Sequence, residues 1–297
     1  MGGAGGGTQD LPTPRALGAA APDPPAHGSA GHACGSCALS TGGARLARMG
    51  LAPGRHDHVV VLAGNPNTGK STVFNALTGL RQHVGNWSGK TVARAEGGFT
   101  YGDARYRVVD LPGTYSLLST SADEDVARDA LLFGRPDVVV VVVDATRLER
   151  NLPLVLQIRQ ITGRVVVALN LVDEARRHGI TVDARHLTRE LGVPVVPMAA
   201  RRGEGLPDLL AAVAQVATTE DAPPPMRLVH RDRELEEAVA TLADRVAAQF
   251  PGVPNTRWVA LRLLEGDPGI EAAVRDGSLG ELTRPGTMTG ATVERAG

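Results

Sequence analysis

The chain has little cysteine, few aromatic side chains and almost no lysine. Its two cysteines, Cys34 and Cys37, lie three residues apart, which argues against a disulfide framework. Phe, Trp and Tyr make up 3% of the residues, so a core has to be built from Val, Leu, Ile and Ala. Long apolar runs are missing too. The six valines at 138–143 make a strand length, and no segment approaches the roughly 20 residues of a membrane-spanning helix. Neither sign of charge dominates: 31 Lys and Arg face 32 Asp and Glu. That balance counts against a chain built around a nucleic-acid-binding field. The N-terminus lacks a basic stretch followed by an apolar one, so no signal peptide is expected. The chain by itself is expected to be soluble and intracellular. Lysine occurs twice, at Lys70 and Lys90, and every other fixed positive side chain is arginine. A position that keeps lysine against that bias has a specific use for it.

A length of 297 residues allows about two domains. Residues 1–55 are rich in Gly, Ala and Pro and have no sustained period, so a disordered tail is expected. Within it, His27, His32, Cys34 and Cys37 admit a soft metal site on the two thiolates, but a lone CxxC pair is more often an incidental part of a solvated tail. From residue 56 apolar β-branched runs alternate with helical patterns: "HVVVLA", "YRVVDL", "DVVVVVVDA", "RVVVALN" and "VPVVPM". This predicts an α/β fold with a mostly parallel sheet covered on both faces, over residues 56–222. Residues 91–110 leave no room for a long helix and read as two strands joined at Tyr101-Gly102-Asp103, hence one antiparallel edge. After "DAPPP", Leu235, Val239, Leu242, Val246 and Phe250 recur at helical spacing, which predicts a small all-helical domain over 226–277, then a flexible tail over 278–297.

The stretch Gly64-Asn65-Pro66-Asn67-Thr68-Gly69-Lys70-Ser71, followed by Thr72, fits G-x-x-x-x-G-K-[ST] between a predicted strand and a predicted helix. Glycines let backbone N–H groups wrap a phosphate, and the helix N-terminus adds its positive end. Lys70 brings a compact charge to the outer phosphates, and the Ser71 hydroxyl suits Mg²⁺. Downstream, "DLPG" places Asp110 at a strand end to reach that metal through water, and Gly113 to offer its N–H to the terminal phosphate. "NLVD" supplies Asn170 and Asp173. An aspartate facing guanine accepts from N1–H and the 2-amino group, a donor pair that adenine lacks. Leu171 stands where GTPases commonly carry lysine. In "MAARRGEG", Ala199 and Ala200 occupy a loop whose backbone meets the base oxygen in GTPases. The usual serine hydroxyl is absent there, and weaker base affinity is expected. The order of the five segments predicts a P-loop GTPase of the translation-factor-like class, using GTP and GDP.

"GNPNTGKSTVFNALTG", "VGNWSGKTV", "DLPGTYSL", "NLVDEA" and "RWVALRLLEGD" together resemble the cytoplasmic N-terminal part of the FeoB family of prokaryotic ferrous iron transporters, from about His58 to Gly277. The resemblance implies a Mg²⁺-dependent GTPase, with a helical domain that restrains nucleotide release. It implies a permease for Fe²⁺, absent from this chain, as partner at the inner face of the cell membrane. Small Feo accessory proteins and a homo-oligomer are also compatible with it, and no nucleic acid is expected. By resemblance, Thr91 is the switch threonine on Mg²⁺, so Ser71, Thr91 and Asp110 form the Mg²⁺ set. Asn67 with the carbonyls of Gly85 and Trp87 holds K⁺, whose charge would do the electrostatic work of an arginine finger. Lys70, Thr91 and Gly113 are then the catalytic group, with a water positioned by backbone near Thr91 or Thr114. Ser88 departs from the family's proline and loosens the switch backbone.

Two rival readings stay in view. One is a soluble GTPase of ribosome assembly or tRNA modification, which needs a basic or aromatic RNA-binding appendage that the helical part lacks. The other is a GTP-sensing switch with incidental turnover. Trp258 reads as a core anchor, Asp144 as a turn cap, and Arg201-Arg202 as a solvated loop rather than a lipid contact.

Overall fold

The computed structural model describes residues 15–16, 56–80, 83–87, 91–118, 121–220, 222–227 and 232–281. Its sheet follows the order β1 (Arg15–Ala16), β4 (Ala93–Tyr101), β5 (Ala104–Asp110), β2 (His58–Gly64), β6 (Val138–Asp144), β7 (Val165–Asn170), β8 (Val195–Pro197). A further strand, β3 (His83–Asn86), pairs with β4. The β2, β5, β6, β7 and β8 pairings are parallel; those of β4 with β5, β3 and β1 are antiparallel. This is the α/β architecture with one antiparallel edge that the strand pattern predicts. The β4–β5 joint falls at Gly102-Asp103, between the paired Tyr101 and Ala104, and Gly102 takes φ 57, which a side chain would resist.

The six-valine strand shows why the run is continuous rather than alternating. Every residue of β6 is buried because helices cover both faces of the sheet. Val139, Val141 and Val143 pack into the cluster holding residues of α2 (Ala122–Leu132) and α3 (Leu148–Ile161). Val138, Val140 and Val142 pack on the other face with α1 (Lys70–Thr78) and α6 (Leu206–Thr218). Two shorter helices, α4 (Val172–Arg177) and α5 (Ala184–Leu191), complete this part. With these valines at 0–1% exposure, each contributes on the order of 1.5 kcal/mol or more of apolar burial.

The C-terminal part comprises α7 (Arg233–Gln249), α8 (Thr256–Leu264), α9 (Pro268–Arg275) and α10 (Ser278–Glu281). Val239 and Val246 of the predicted periodicity are buried, as is Phe250 just after α7. Two expectations change here. The helical part runs past Gly277, because Leu279 is fully buried and Asp276 accepts the Ser278 N–H at 2.9 Å. Within residues 1–55, Arg15–Ala16 pair with β4 opposite Thr100 and Phe99; the remainder of that segment lies outside the described residues.

The helical part also shares one apolar cluster with the sheet domain: Phe250, Trp258, Val259, Ile270 and Leu279 belong with Leu131, Leu154 and Ile158. Trp258 is therefore the core anchor its context suggests. Polar bonds cross the same boundary. Arg135 donates to the Gly252 carbonyl at 3.0 Å, and Met226 N–H to that of Arg159 at 2.7 Å. Asn255 works on both sides. Its Oδ1 caps α8 by accepting the Trp258 N–H at 3.2 Å, while its Nδ2 donates to the Gln160 and Ile161 carbonyls at 2.5 and 3.3 Å. Arg128 of α2 lies 3.6 Å from Asp267, the residue capping α9. Asn255→Ala removes a helix cap and a cross-domain grip together. It is expected to destabilise the chain by about 1 kcal/mol or more, read as a lower unfolding midpoint and faster amide exchange in α8 than in α6. An unchanged midpoint would show that the grip carries no stability.

Candidate nucleotide site

The phosphate loop runs from the end of β2 to the start of α1. Gly69 precedes α1 at φ 82, and a side chain there would strike the Asn170 amide. No acidic residue sits in the first turn of α1, so its positive end is uncompensated there, and Ser71 and Thr72 are exposed at that end. Pro66 and Asn67 form the exposed tip, with Asn67 at φ 66. The side chains of Asn65 and Thr68 point inward. Thr68 Oγ1 donates to the Asn65 carbonyl at 3.0 Å, and Asn65 Nδ2 to the Arg150 carbonyl at 3.2 Å. Their side chains hold the loop's shape, which leaves their backbone N–H groups for a phosphate, the role the phosphate-loop pattern implies.

Lys70 lies over the loop but reaches across the site. Its Nζ is 2.5 Å from Asp110 Oδ1 and 2.7 Å from the Leu111 carbonyl. The carboxyl of Asp110 is pushed above the usual aspartate range by burial, with Lys70 pulling the other way and not prevailing. A cation beside this carboxylate would favour its ionised form. Asp110 with the hydroxyls of Ser71 and Thr91 is an all-oxygen set that suits Mg²⁺.

The segment after Asp110 is docked on the phosphate loop. A side chain at Gly113 would come within 3.4 Å of Pro66 backbone, and the Thr114 N–H donates to the Gly64 carbonyl at 3.2 Å. The Thr114 hydroxyl is buried and donates to the Ser116 carbonyl at 2.7 Å, so in this conformation it is not free to hold a water. Tyr115 is exposed, with the Arg150 guanidinium 4.7 Å from its ring centre. These groups and Asn67 border a cavity of about 430 Å³ beside the loop.

Thr91 is exposed, just ahead of β4. Gly85 and Trp87 face β4: Gly85 lies opposite Arg94, and the Trp87 N–H donates to the Val92 carbonyl at 3.0 Å. Trp87 is itself core, with Arg94 over its ring. Ser88, Cys34 and Cys37 lie outside the described residues; among the described residues no three His, Cys, Asp or Glu gather as a metal site.

At the other end of the site Asn170, 1% exposed, closes β7. Its Nδ2 donates to the Thr68 carbonyl at 3.0 Å and its Oδ1 accepts the Ala200 N–H at 3.0 Å. One amide thus ties the phosphate loop to the Ala199-Ala200 loop. Leu171 takes φ 63, and Asp173 follows in the first turn of α4. Both backbone donors expected near a base oxygen are engaged: Ala199 N–H with the Glu204 carbonyl at 3.0 Å, and Ala200 N–H with Asn170. A base contact there has to be shared. Arg202 is mostly exposed, as a solvated loop implies, and its Nε lies 3.5 Å from Asp173 Oδ2. Sequence reasoning also missed the bridging role of Asn170, which no local spacing encodes. Asp144 caps a turn as expected, accepting from the Thr146 N–H and hydroxyl at 2.8 and 2.7 Å.

Comparison with known proteins places the chain in a family. Residues 58–213 match the family described as "Ferrous iron transport protein B", and residues 232–284 the "FeoB cytosolic helical domain". The second match also runs past Gly277. The "Fe(2+) transporter FeoB" of Salmonella typhimurium is 44% identical over 210 residues, covering 69% of this chain, and that of Escherichia coli K12 is 42% identical over the same length. The chain spans 27% of the Salmonella relative's length, about a quarter. Among solved structures, the cytosolic domain of L. pneumophila FeoB is 35% identical with a TM-score of 0.67, covering 75% of this chain and 88% of that one. The cytosolic domain of T. maritima FeoB in its GMPPNP form has the same identity and TM-score, covering 78% and 88%.

The Asp110 environment predicts a pH dependence. The folded carboxyl keeps its proton to higher pH than the unfolded one, so the folded state binds more protons between the two values. Stability therefore falls as pH rises through that window. The unfolding free energy of the nucleotide-free chain, minus that of Asp110→Asn, is expected to decline from about pH 4 toward neutrality, measured by denaturant titration. A difference that rises with pH would mean that Lys70 outweighs burial.

Proposed function

Since the chain belongs to the FeoB ferrous iron transport family, we propose that it is the GTP-binding and GTP-hydrolysing module of a ferrous iron transporter, with residues 56–222 as G domain and the helical part after 226 as its regulator. One observation carries the reading: the Asn170 amide joins the phosphate-loop carbonyl of Thr68 to the Ala200 N–H. The loop that grips phosphates and the loop beside the base-reading Asp173 are thereby one unit, as a guanine nucleotide spanning both requires.

In this reading Lys70 leaves Asp110 for the outer phosphates. Asp110, Ser71 and Thr91 would hold Mg²⁺, which would supply positive charge against the phosphates. The Gly113 N–H donates to the terminal phosphate. Asp173 accepts from N1–H and the 2-amino group of guanine. Asn67 and the Gly85 and Trp87 carbonyls would hold K⁺, whose charge would offset negative charge that develops as the phosphate leaves. The proposed partner is a membrane permease for Fe²⁺, coupled through nucleotide state, with the chain at the inner face of the membrane. The RNA-linked alternative is not carried forward, because both matched families are those of ferrous iron transport.

The test is GTP hydrolysis by the chain with Mg²⁺, in KCl against NaCl at equal ionic strength. Turnover in KCl is expected to exceed that in NaCl by about a hundredfold, the lower end of the range for losing one transition-state charge contact, and Asn67→Ala is expected to erase the difference. Turnover indifferent to K⁺ would favour the switch.

A further inference from the structure

We propose that Arg202 is a positioning residue for guanine selection: it holds the Asp173 carboxylate in the orientation that reads the base. The inference rests on the guanine-site reading above. Guanine is told from other purines by a carboxylate whose two oxygens face two N–H donors at once. A carboxylate in the first turn of a helix is otherwise at liberty to turn toward the N–H groups of its own helix end or toward water. Asp173 needs something outside its helix to fix it.

Arg202 is that group. Its Nε stands 3.5 Å from Asp173 Oδ2, and the guanidinium has further donors to offer a carboxylate. The pair is asymmetric. Asp173's side chain is 18% exposed and Arg202's is 66% exposed, so the cation approaches from the solvent side. The arginine is also presented from a fixed backbone. Its N–H donates to the Ala199 carbonyl at 2.8 Å and the Gly203 N–H to that of Ala200 at 3.2 Å, making one tight turn over Ala200–Arg202. An Ala199–Glu204 bridge closes the loop, and Gly205, at φ 80, packs against Pro197 and Met198 with no space for a side chain. A second ion pair, Glu204 Oε1 to Arg176 Nη1 at 2.9 Å, ties the same loop to the same helix. The 199–204 loop and α4 are thus clasped by two charge pairs beside the base-reading carboxylate. Ala199 brings no hydroxyl to this loop, and a side-chain donor arrives from Arg202 instead.

The exposed position makes the test clean, because removing Arg202 opens no core. Dissociation constants for fluorescently labelled GDP and IDP are measured on the full chain with Mg²⁺; inosine lacks the 2-amino group that Asp173 accepts. The unaltered chain is expected to prefer GDP. Arg202→Ala is expected to shrink that preference about two- to fivefold, the range for an exposed ion pair, with Arg202→Lys retaining most of it and Arg201→Ala all of it. Raising salt from about 0.05 to about 0.5 M is expected to erode the preference in the unaltered chain but not in Arg202→Ala. An unchanged or larger preference in Arg202→Ala overturns the inference while leaving the guanine site standing. An unaltered chain that binds neither nucleotide overturns the guanine-site reading itself, and this inference with it.

Discussion

A buried primary amide has to find partners for both its ends or cost the fold one to several kcal/mol. Asn170 finds them on two different loops, the Thr68 carbonyl and the Ala200 N–H, and in doing so converts two loops into one rigid site. The sheet supplies the leverage. Asn170 ends β7 opposite Asp144 of β6, with Gly64 ending β2 on the far side of β6, so the two loops emerge at the same carboxyl edge. Ligand crevices in open α/β sheets form at that edge. Gly69 is the counterpart of this constraint: a side chain there would occupy the space of the Asn170 amide.

In the structure the charges at this edge satisfy one another. Lys70 rests on Asp110 and Arg202 on Asp173. Each of these pairs joins two groups that a guanine nucleotide with its metal would also use or approach. In the proposed reading, binding would exchange one set of charge contacts for another, and what it would exchange differs at the two ends. Lys70 and Asp110 are largely buried, so their rearrangement is expensive unless phosphate and cation replace each partner. Arg202 is exposed and stays free to accompany Asp173. The docked 113–114 backbone and the inward Thr114 hydroxyl add a third contact that has to be released or kept when the terminal phosphate arrives. α2, the next helix along the chain, reaches the helical part through Arg128, 3.6 Å from Asp267.

The strands, the hairpin joint and the phosphate loop were legible because each rests on local chemistry: six consecutive valines, a Tyr-Gly-Asp turn, and a glycine-bounded lysine at a strand end. Asn170 and Asp173 were legible as residue types in a motif. The bridge made by Asn170 was not, since it depends on which loops the sheet order brings together. For the same reason the pairing of Arg202 with Asp173 and the inward turn of the Asn65 and Thr68 side chains were not legible. β3 was missed because "HVGN" is short and mostly exposed, with no run of β-branched residues to mark it. The helix at 278–281 was missed because one buried leucine, Leu279, is too little for a period.

The scarcity of lysine offers the most direct test of the account. With the chain labelled at lysine only, nuclear magnetic resonance of the side-chain ends has two signals to follow, Lys70 and Lys90, and Lys70→Arg assigns them. If this edge is a guanine-nucleotide site in which Lys70 trades Asp110 for phosphate, adding GTP with Mg²⁺ moves the Lys70 signal and adding ATP with Mg²⁺ leaves it in place. A Lys70 signal that ignores GTP, or that responds to ATP equally, would contradict it.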